Sequence, residues 1–172
     1  FSTNNIRSSQ DLIFRDSNIQ KQKLPKLKDS KKLSPRQREI WFEYIKKHPN
    51  IFYALASVSP KIIDRINISR AANLAAARAF IKLTKNRGLK NKKCRVFLDG
   101  GLHLLNFLNP KSYILNSRTI IKGDEKIPAI MLASIVAKVS RDRLMTRLHK
   151  KYPQYGFAQH KGYGTKIHFR AI

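Results

Sequence analysis

Two aspartates, Asp99 and Asp124, stand where strand-like segments give way to turns, in VFLDG at 96–100 and IIKGDEK at 120–126. Ligand sites in open α/β sheets gather at the carboxyl ends of strands. Two carboxylates on neighbouring strands can share a hard cation such as Mg²⁺, which needs only one or two protein carboxylates beside water and phosphate oxygens. The competing reading makes Asp99 a turn former before Gly100-Gly101 and Asp124 an N-cap for the helix that follows. Downstream, Ser134, Lys138, Arg141 and Asp142 fall on one stripe of an otherwise apolar helix. A polar stripe there needs partners or a ligand. Lys138 and Asp142 can also simply pair four residues apart, which makes Asp142 a supporting group rather than a cation ligand. The loop YGFAQHKGYGT at 155–165 offers Gly156, Gly162 and Gly164 for close backbone approach. Tyr163 can stack on a sugar or bond a hydroxyl, and His160 and Lys161 can meet phosphate; the alternative is a Gly-Tyr loop packed on the core. Lys31 and Lys32 can hold backbone phosphates or stand as a solvated pair.

The elements that position these residues are legible in outline. Ser34 caps and Pro35 opens a helix running to about Lys47, with Ile40, Trp41, Tyr44 and Ile45 on its apolar side. His48-Pro49-Asn50 stops it. Residues 51–58 read as a strand. Ser59-Pro60 opens a short helix, and a longer Ala-rich one spans Ile68–Lys85 before Asn86-Arg87-Gly88. Arg95–Leu98 and Ser117–Ile121 read as strands, and a short strand is expected at Asp11–Arg15. A long helix follows Asp124 to about Lys150, and a short one starts at Thr165. Strands alternating with helices indicate an α/β layer fold.

The chain has 172 residues, 42% of them hydrophobic, enough for one domain with a real core. Its 36 Lys and Arg against 10 Asp and Glu give a formal charge of +26. A charge of that size points to a polyanionic partner, nucleic acid first; a lysine-rich proteome or a scaffold protein of the ribosomal kind is the bland alternative. The single cysteine, Cys94, rules out an internal disulfide and a Cys-based zinc site and suits a reducing compartment. No apolar run is long enough to span a membrane, and no signal peptide is evident. The chain opens on Phe1 rather than Met, which reads as a processed or partial product.

Five ordered segments resemble bacterial ribonuclease HII: DSKKLSPRQRE at 29–39, VSPKIIDRINI at 58–68, VFLDG at 96–100, IIKGDEKIPAIMLASIVAKVSRDRLM at 120–145 and HKKYPQYGFAQHKGYGTKIH at 149–168. The resemblance implies a ribonuclease H-like fold, a mixed central sheet with helices on both sides. It implies endonucleolytic cleavage of the RNA in RNA–DNA hybrids and at single ribonucleotides in duplex DNA, with Mg²⁺ or Mn²⁺, leaving 3′-hydroxyl and 5′-phosphate ends. In a two-metal scheme one ion readies the attacking water and the other stabilises the leaving oxygen. By motif, Asp99 and Asp124 match two of the family's four carboxylates, both catalytic and metal-binding. Tyr163 matches the tyrosine that senses the ribose 2′-hydroxyl, and Lys31, Lys32, Ser134 and Lys161 become substrate-contacting candidates, with Lys138 and Asp142 in support. A monomeric, cytoplasmic enzyme without membrane contact is expected.

The family's first strand carries an adjacent Asp-Glu and a Gly-Arg-Gly turn, and neither occurs here upstream of Asp29: the first glycine is Gly88, and the one Asp-Glu pair is Asp124-Glu125. Residues 1–28 therefore read as a basic, irregular arm, and 29–172 as a ribonuclease HII-like domain without its opening strand. Either the N-terminus is truncated or divergent, or the chain is a catalytically inactive relative that binds hybrid duplexes. A basic RNA-associated protein of other ancestry leaves the five motifs unexplained.

Overall fold

The computed structural model describes residues 24–87, 94–104 and 115–171. The first helix, α1 (Pro35–Lys47), starts where the sequence says it must. Ser34 Oγ accepts the Gln37 N–H at 3.2 Å, and the Gln37 side chain accepts the Ser34 N–H at 2.9 Å, a complete capping box. Helix α2 (Pro60–Asn86) is broken at Asn67, whose φ of 65° is non-helical. Asn67 Oδ1 accepts the Arg70 N–H at 3.0 Å and so caps the second half, which matches the expected pair of helices.

Strands β1 (Cys94–Asp99) and β2 (Leu115–Ile120) pair in parallel, with Asp99 opposite Ile120. A short helix α3 (Gly123–Lys126) and the long α4 (Pro128–Lys151) follow, separated at Ile127. The predicted single helix is thus two, because Pro128 takes the first position of its own helix. Asp124 is not an N-cap: Lys122 holds that position, and Asp124 lies in the first turn of α3. The 155–165 segment is not a plain loop but a 3₁₀ turn, the short α5 (Phe157–His160) and a bend that leads into α6 (Lys166–Arg170).

The architecture is α/β, mostly helical, with a small parallel sheet, in keeping with a ribonuclease H-like fold. Among the described residues no strand precedes Cys94. Residues 51–58 form no regular secondary structure and pair with no strand among the described residues. Their strand-like residues are held by side chains instead: Ile51 packs on the main core and Tyr53 leans on Phe42. The expected strand at Asp11–Arg15 lies outside the described residues.

Among the described residues two apolar clusters hold the fold. Trp41, Phe42 and Ile45 of α1 bury against Leu132, Ile135, Val136 and Val139 of α4, and Leu24 and Leu27 pack on the same cluster. Ala77 of α2 meets Leu98 of β1 and Leu104. Helix α2 therefore covers the face of β1 that carries Val96 and Leu98, whereas Phe97 on the opposite face is 39% exposed.

Candidate active site

The carboxyl ends of β1 and β2 deliver the two aspartates. Asp99 closes β1, and its Oδ1 accepts the Gly123 N–H at 2.9 Å. That bond carries the turn after β2 back over β1 and sets Asp124, the next residue, beside Asp99. Gly123 leaves little room for a side chain. A Cβ there would lie 2.6 Å from Ile130 Cδ1 and 3.3 Å from Asp99 Oδ1. Asp124 itself is buried.

The DSKK segment closes over this corner. Asp29 Oδ1 accepts the Lys31 N–H at 3.1 Å and shapes a 3₁₀ turn over Ser30–Lys32. From that turn Lys31 Nζ donates to Asp124 Oδ2 at 3.2 Å, and Lys32 Nζ donates to Glu125 Oε1 at 2.8 Å. Two adjacent lysines thus clasp two adjacent acids 93 positions away. The hydrogen bond to Asp124, followed by the negative charge of Asp29, raises the Lys31 pKa above its ordinary value. Lys32 lowers the Glu125 pKa in the same way. Both lysine side chains remain largely exposed, at 77% and 57%, so water screens these pairs and they position the segment more than they stabilise it. Ser30 Oγ and Ser134 Oγ share a hydrogen bond of 2.7 Å, which ties the turn to α4.

Arg38 is the residue that sequence reasoning missed. Its Nη1 donates to the carbonyls of Ser30 (2.9 Å) and Leu33 (2.6 Å), and its Nη2 lies 3.7 Å from Asp142 Oδ2. A cation near the start of a helix opposes the helix dipole, and that was the available signal. From Arg38 a chain of polar contacts runs along α4. Lys138 Nζ donates to Asp142 Oδ1 at 2.7 Å and sits 4.9 Å from the Tyr163 ring centroid and 3.4 Å from its hydroxyl. The i,i+4 pair read from sequence is therefore real, and it also supports Tyr163.

Tyr163 is 56% exposed. Its loop is braced by His160, which is buried: its Nε2–H donates to the Tyr155 carbonyl at 2.6 Å, and its Nδ1 accepts the Gly162 N–H at 3.1 Å. With both ring nitrogens engaged by backbone, His160 holds the loop rather than a phosphate. Lys161 Nζ donates to Thr146 Oγ1 at 2.8 Å, and Arg141 reaches the Lys161 carbonyl.

The candidates fall into two adjoining groups. Asp99, Asp124, Lys31, Lys32 and Ser134 meet at the strand ends. Lys138, Asp142, Lys161 and Tyr163 line a groove of about 900 Å³ whose wall includes Arg38. Among the described residues no three His, Cys, Asp or Glu side chains converge. Asp99 and Asp124 fit one hard cation completed by water and substrate oxygens, not a closed tetrahedral site. The Lys31 ammonium on Asp124 Oδ2 marks a position that accepts positive charge.

A family model described as Ribonuclease HII matches residues 15–172. Proteins named Ribonuclease HII from Alkaliphilus metalliredigens (strain QYMF) and Pelagibacter ubique (strain HTCC1062) are 43% and 44% identical over 146 residues, 85% of this chain and 67% and 71% of their own length. The Ribonuclease HII of Endomicrobium trichonymphae is 44% identical over 151 residues, 87% of this chain and 65% of that protein. The chain thus spans about two thirds of the length of the relatives it matches. Similarity of this extent means that the chain belongs to the ribonuclease HII family.

Proposed function

We propose that this chain carries a ribonuclease H activity: endonucleolytic hydrolysis of the RNA strand of RNA–DNA hybrids, and of the linkage at single ribonucleotides in duplex DNA, leaving 5′-phosphate ends. The observation that carries the reading is the juxtaposition of Asp99 and Asp124 at paired strand ends with an exposed tyrosine one groove away. Asp99 and Asp124 would hold Mg²⁺ or Mn²⁺. Bound there, such an ion supplies charge neutralisation at the scissile phosphate and lowers the pKa of water.

The chain's own residues do the rest. Lys31, whose side chain is 77% exposed, is free to turn from Asp124 to a substrate phosphate. Lys32 and Lys161 meet neighbouring phosphates, and Ser134 holds the DSKK turn in register. Tyr163 presents its ring and hydroxyl to the ribose, where a 2′-hydroxyl distinguishes RNA from DNA. Lys138 beneath it, fixed by Asp142, orients the ring.

A second reading, a relative that binds hybrid duplexes without cutting them, is favoured by one observation: among the described residues no third His, Cys, Asp or Glu joins Asp99 and Asp124 to hold a cation, and a lysine already faces one of them. An assay on a duplex with one embedded ribonucleotide, in Mg²⁺ and in Mn²⁺, separates the two. Specific incision that Asp99→Asn abolishes supports the enzyme, because the substituted amide retains an oxygen for the Gly123 N–H while the charge is lost. Salt-sensitive binding without incision supports the binder.

A further inference from the structure

Tyr163 stands between Gly162 and Gly164, and more than half of its surface is open to solvent. Two flanking glycines give the backbone there unusual freedom, so packing alone does not fix where the ring points. Two histidines hold it instead. The Tyr163 N–H donates to the His160 carbonyl at 2.9 Å. The Tyr163 carbonyl accepts the Thr165 N–H at 2.8 Å and the His168 Nδ1–H at 3.0 Å. A carbonyl only accepts, so Nδ1 of His168 carries a proton.

The two imidazoles also meet each other. The His168 ring lies flat on the His160 ring, with centroids 4.3 Å apart and planes at 15°. Phe157 packs edge-on against both. His160 takes the opposite tautomer, because its Nδ1 must stay bare to accept the Gly162 N–H. A proton added at that nitrogen would set one N–H against another, and the Gly162 amide would lose its acceptor. The bend it serves has positive φ at both Lys161 (51°) and Gly162 (78°). The charged and titratable groups around the pair are Arg141 and Arg147 of α4, Lys161, Tyr155, and Lys166 and Arg170 on the helix of His168. Asp142, in the same groove, is engaged by Lys138. Among the described residues no carboxylate hydrogen-bonds either imidazole.

We infer that His168, stacked on His160, is a positioning residue that sets the ribose preference of Tyr163, and that the pair does so only while His160 is neutral. This deepens the proposed function and rests on its assignment of ribose reading to Tyr163. The selectivity of the site therefore depends on pH: it is complete where both rings are neutral and declines as the pH falls through about 8 to 5, the range in which imidazoles charge.

The test compares the affinity of the intact chain for a labelled duplex with one embedded ribonucleotide and for the same duplex made wholly of DNA, by fluorescence anisotropy in Ca²⁺. The ratio of the two affinities cancels the general attraction of a basic protein for phosphate. Two variants separate the donor from the stack. His168→Phe keeps a ring over His160 and has no donor, whereas His168→Asn places an amide N–H where Nδ1–H sits. Both keep the backbone N–H that bonds Thr165 Oγ1. His168→Phe should lower the ratio about fivefold, the worth of one hydrogen bond, through weaker binding of the ribose duplex alone. His168→Asn should hold it within about twofold of the parent, less than a hydrogen bond is worth. In the parent the ratio should fall on acidification, and the Gly162 amide resonance should move with the His160 ring resonances. A parent without ribose preference, a His168→Phe ratio equal to that of the parent, equal weakening for both duplexes, or a preference independent of pH would overturn the inference. A parent that prefers the ribose duplex but fails to incise it in Mg²⁺ supports the inference and removes the proposed activity.

Discussion

Replacing Arg38 with methionine tests the bracing of the active-site corner. The guanidinium donates to the carbonyls of Ser30 and Leu33, two residues that are 3% and 4% exposed. Each carbonyl left unpaired in a buried setting costs about 1–3 kcal/mol. Methionine fills much of the vacated volume, and some water can enter beside Asp142, so the expected loss is about 2–4 kcal/mol. The ion pair with Asp142 adds little. At 3.7 Å it is longer than a hydrogen bond, and Asp142→Asn still offers an amide oxygen to Lys138 Nζ, now 2.7 Å from the carboxylate, so that variant should cost about 1–2 kcal/mol, less than Arg38→Met. Urea unfolding with an unchanged m-value gives both numbers. Hydrogen exchange should also speed up at the Lys32 amide, which bonds the Asp29 carbonyl inside the turn. An Arg38→Met chain within about 0.5 kcal/mol of the parent, the usual range for a neutral surface change, would refute this reasoning. So would an Asp142→Asn chain that loses more than Arg38→Met.

Gly123→Ala should lower the melting temperature modestly, because its Cβ would lie 2.6 Å from the Ile130 Cδ1 methyl, which must move aside, and 3.3 Å from Asp99 Oδ1; Ile130→Val, which removes that methyl, should restore part of the loss. Tyr163→Phe should leave stability within about 0.5 kcal/mol, since its hydroxyl makes only a 3.4 Å contact with Lys138. The same variant should lower the preference for ribose over deoxyribose about tenfold in an incision assay, as the loss of one hydrogen bond implies. The Lys32–Glu125 pair sets a pH window. Lys32 is raised above 10.5, so its contribution is complete below that pH and is lost as pH rises through the folded value. Glu125 is lowered below 4.5, so its contribution is complete above that pH and is lost as pH falls through the folded value. The stability difference between the parent and Lys32→Gln should be flat between those limits, shrink outside them and fade in high salt.

Where local chemistry decides, the sequence was a good guide. Ser34, Pro35 and Gln37 state the start of α1 on their own, and Asn67 marks the break in α2 because asparagine tolerates positive φ. Asp99 and Asp124 were legible as strand-end acids. Residues 51–58 misled, because Ile51, Phe52 and Tyr53 have strand-like side chains whether or not a partner strand exists to pair with them. Arg38 was hidden for a related reason. Its partners are backbone carbonyls, which have no letter in the sequence, and a surface reading of an arginine on a helix is the ordinary one. His160 looked like a phosphate ligand until its two ring nitrogens were found engaged by Tyr155 and Gly162.

Helix α4 has one further consequence. Ser134, which ties down the aspartate corner, and Lys138, which underlies the tyrosine, are four residues apart on the same uninterrupted helix. Their separation along the axis is therefore about 6 Å, set by helical rise rather than by any loop. The helix serves as a ruler between the aspartate corner and the exposed tyrosine. Its graduations come in phase as well as in length. Inserting a single residue between 134 and 138 would turn one end against the other by about 100°, leaving every side chain in place in the sequence and the two halves of the site facing different directions.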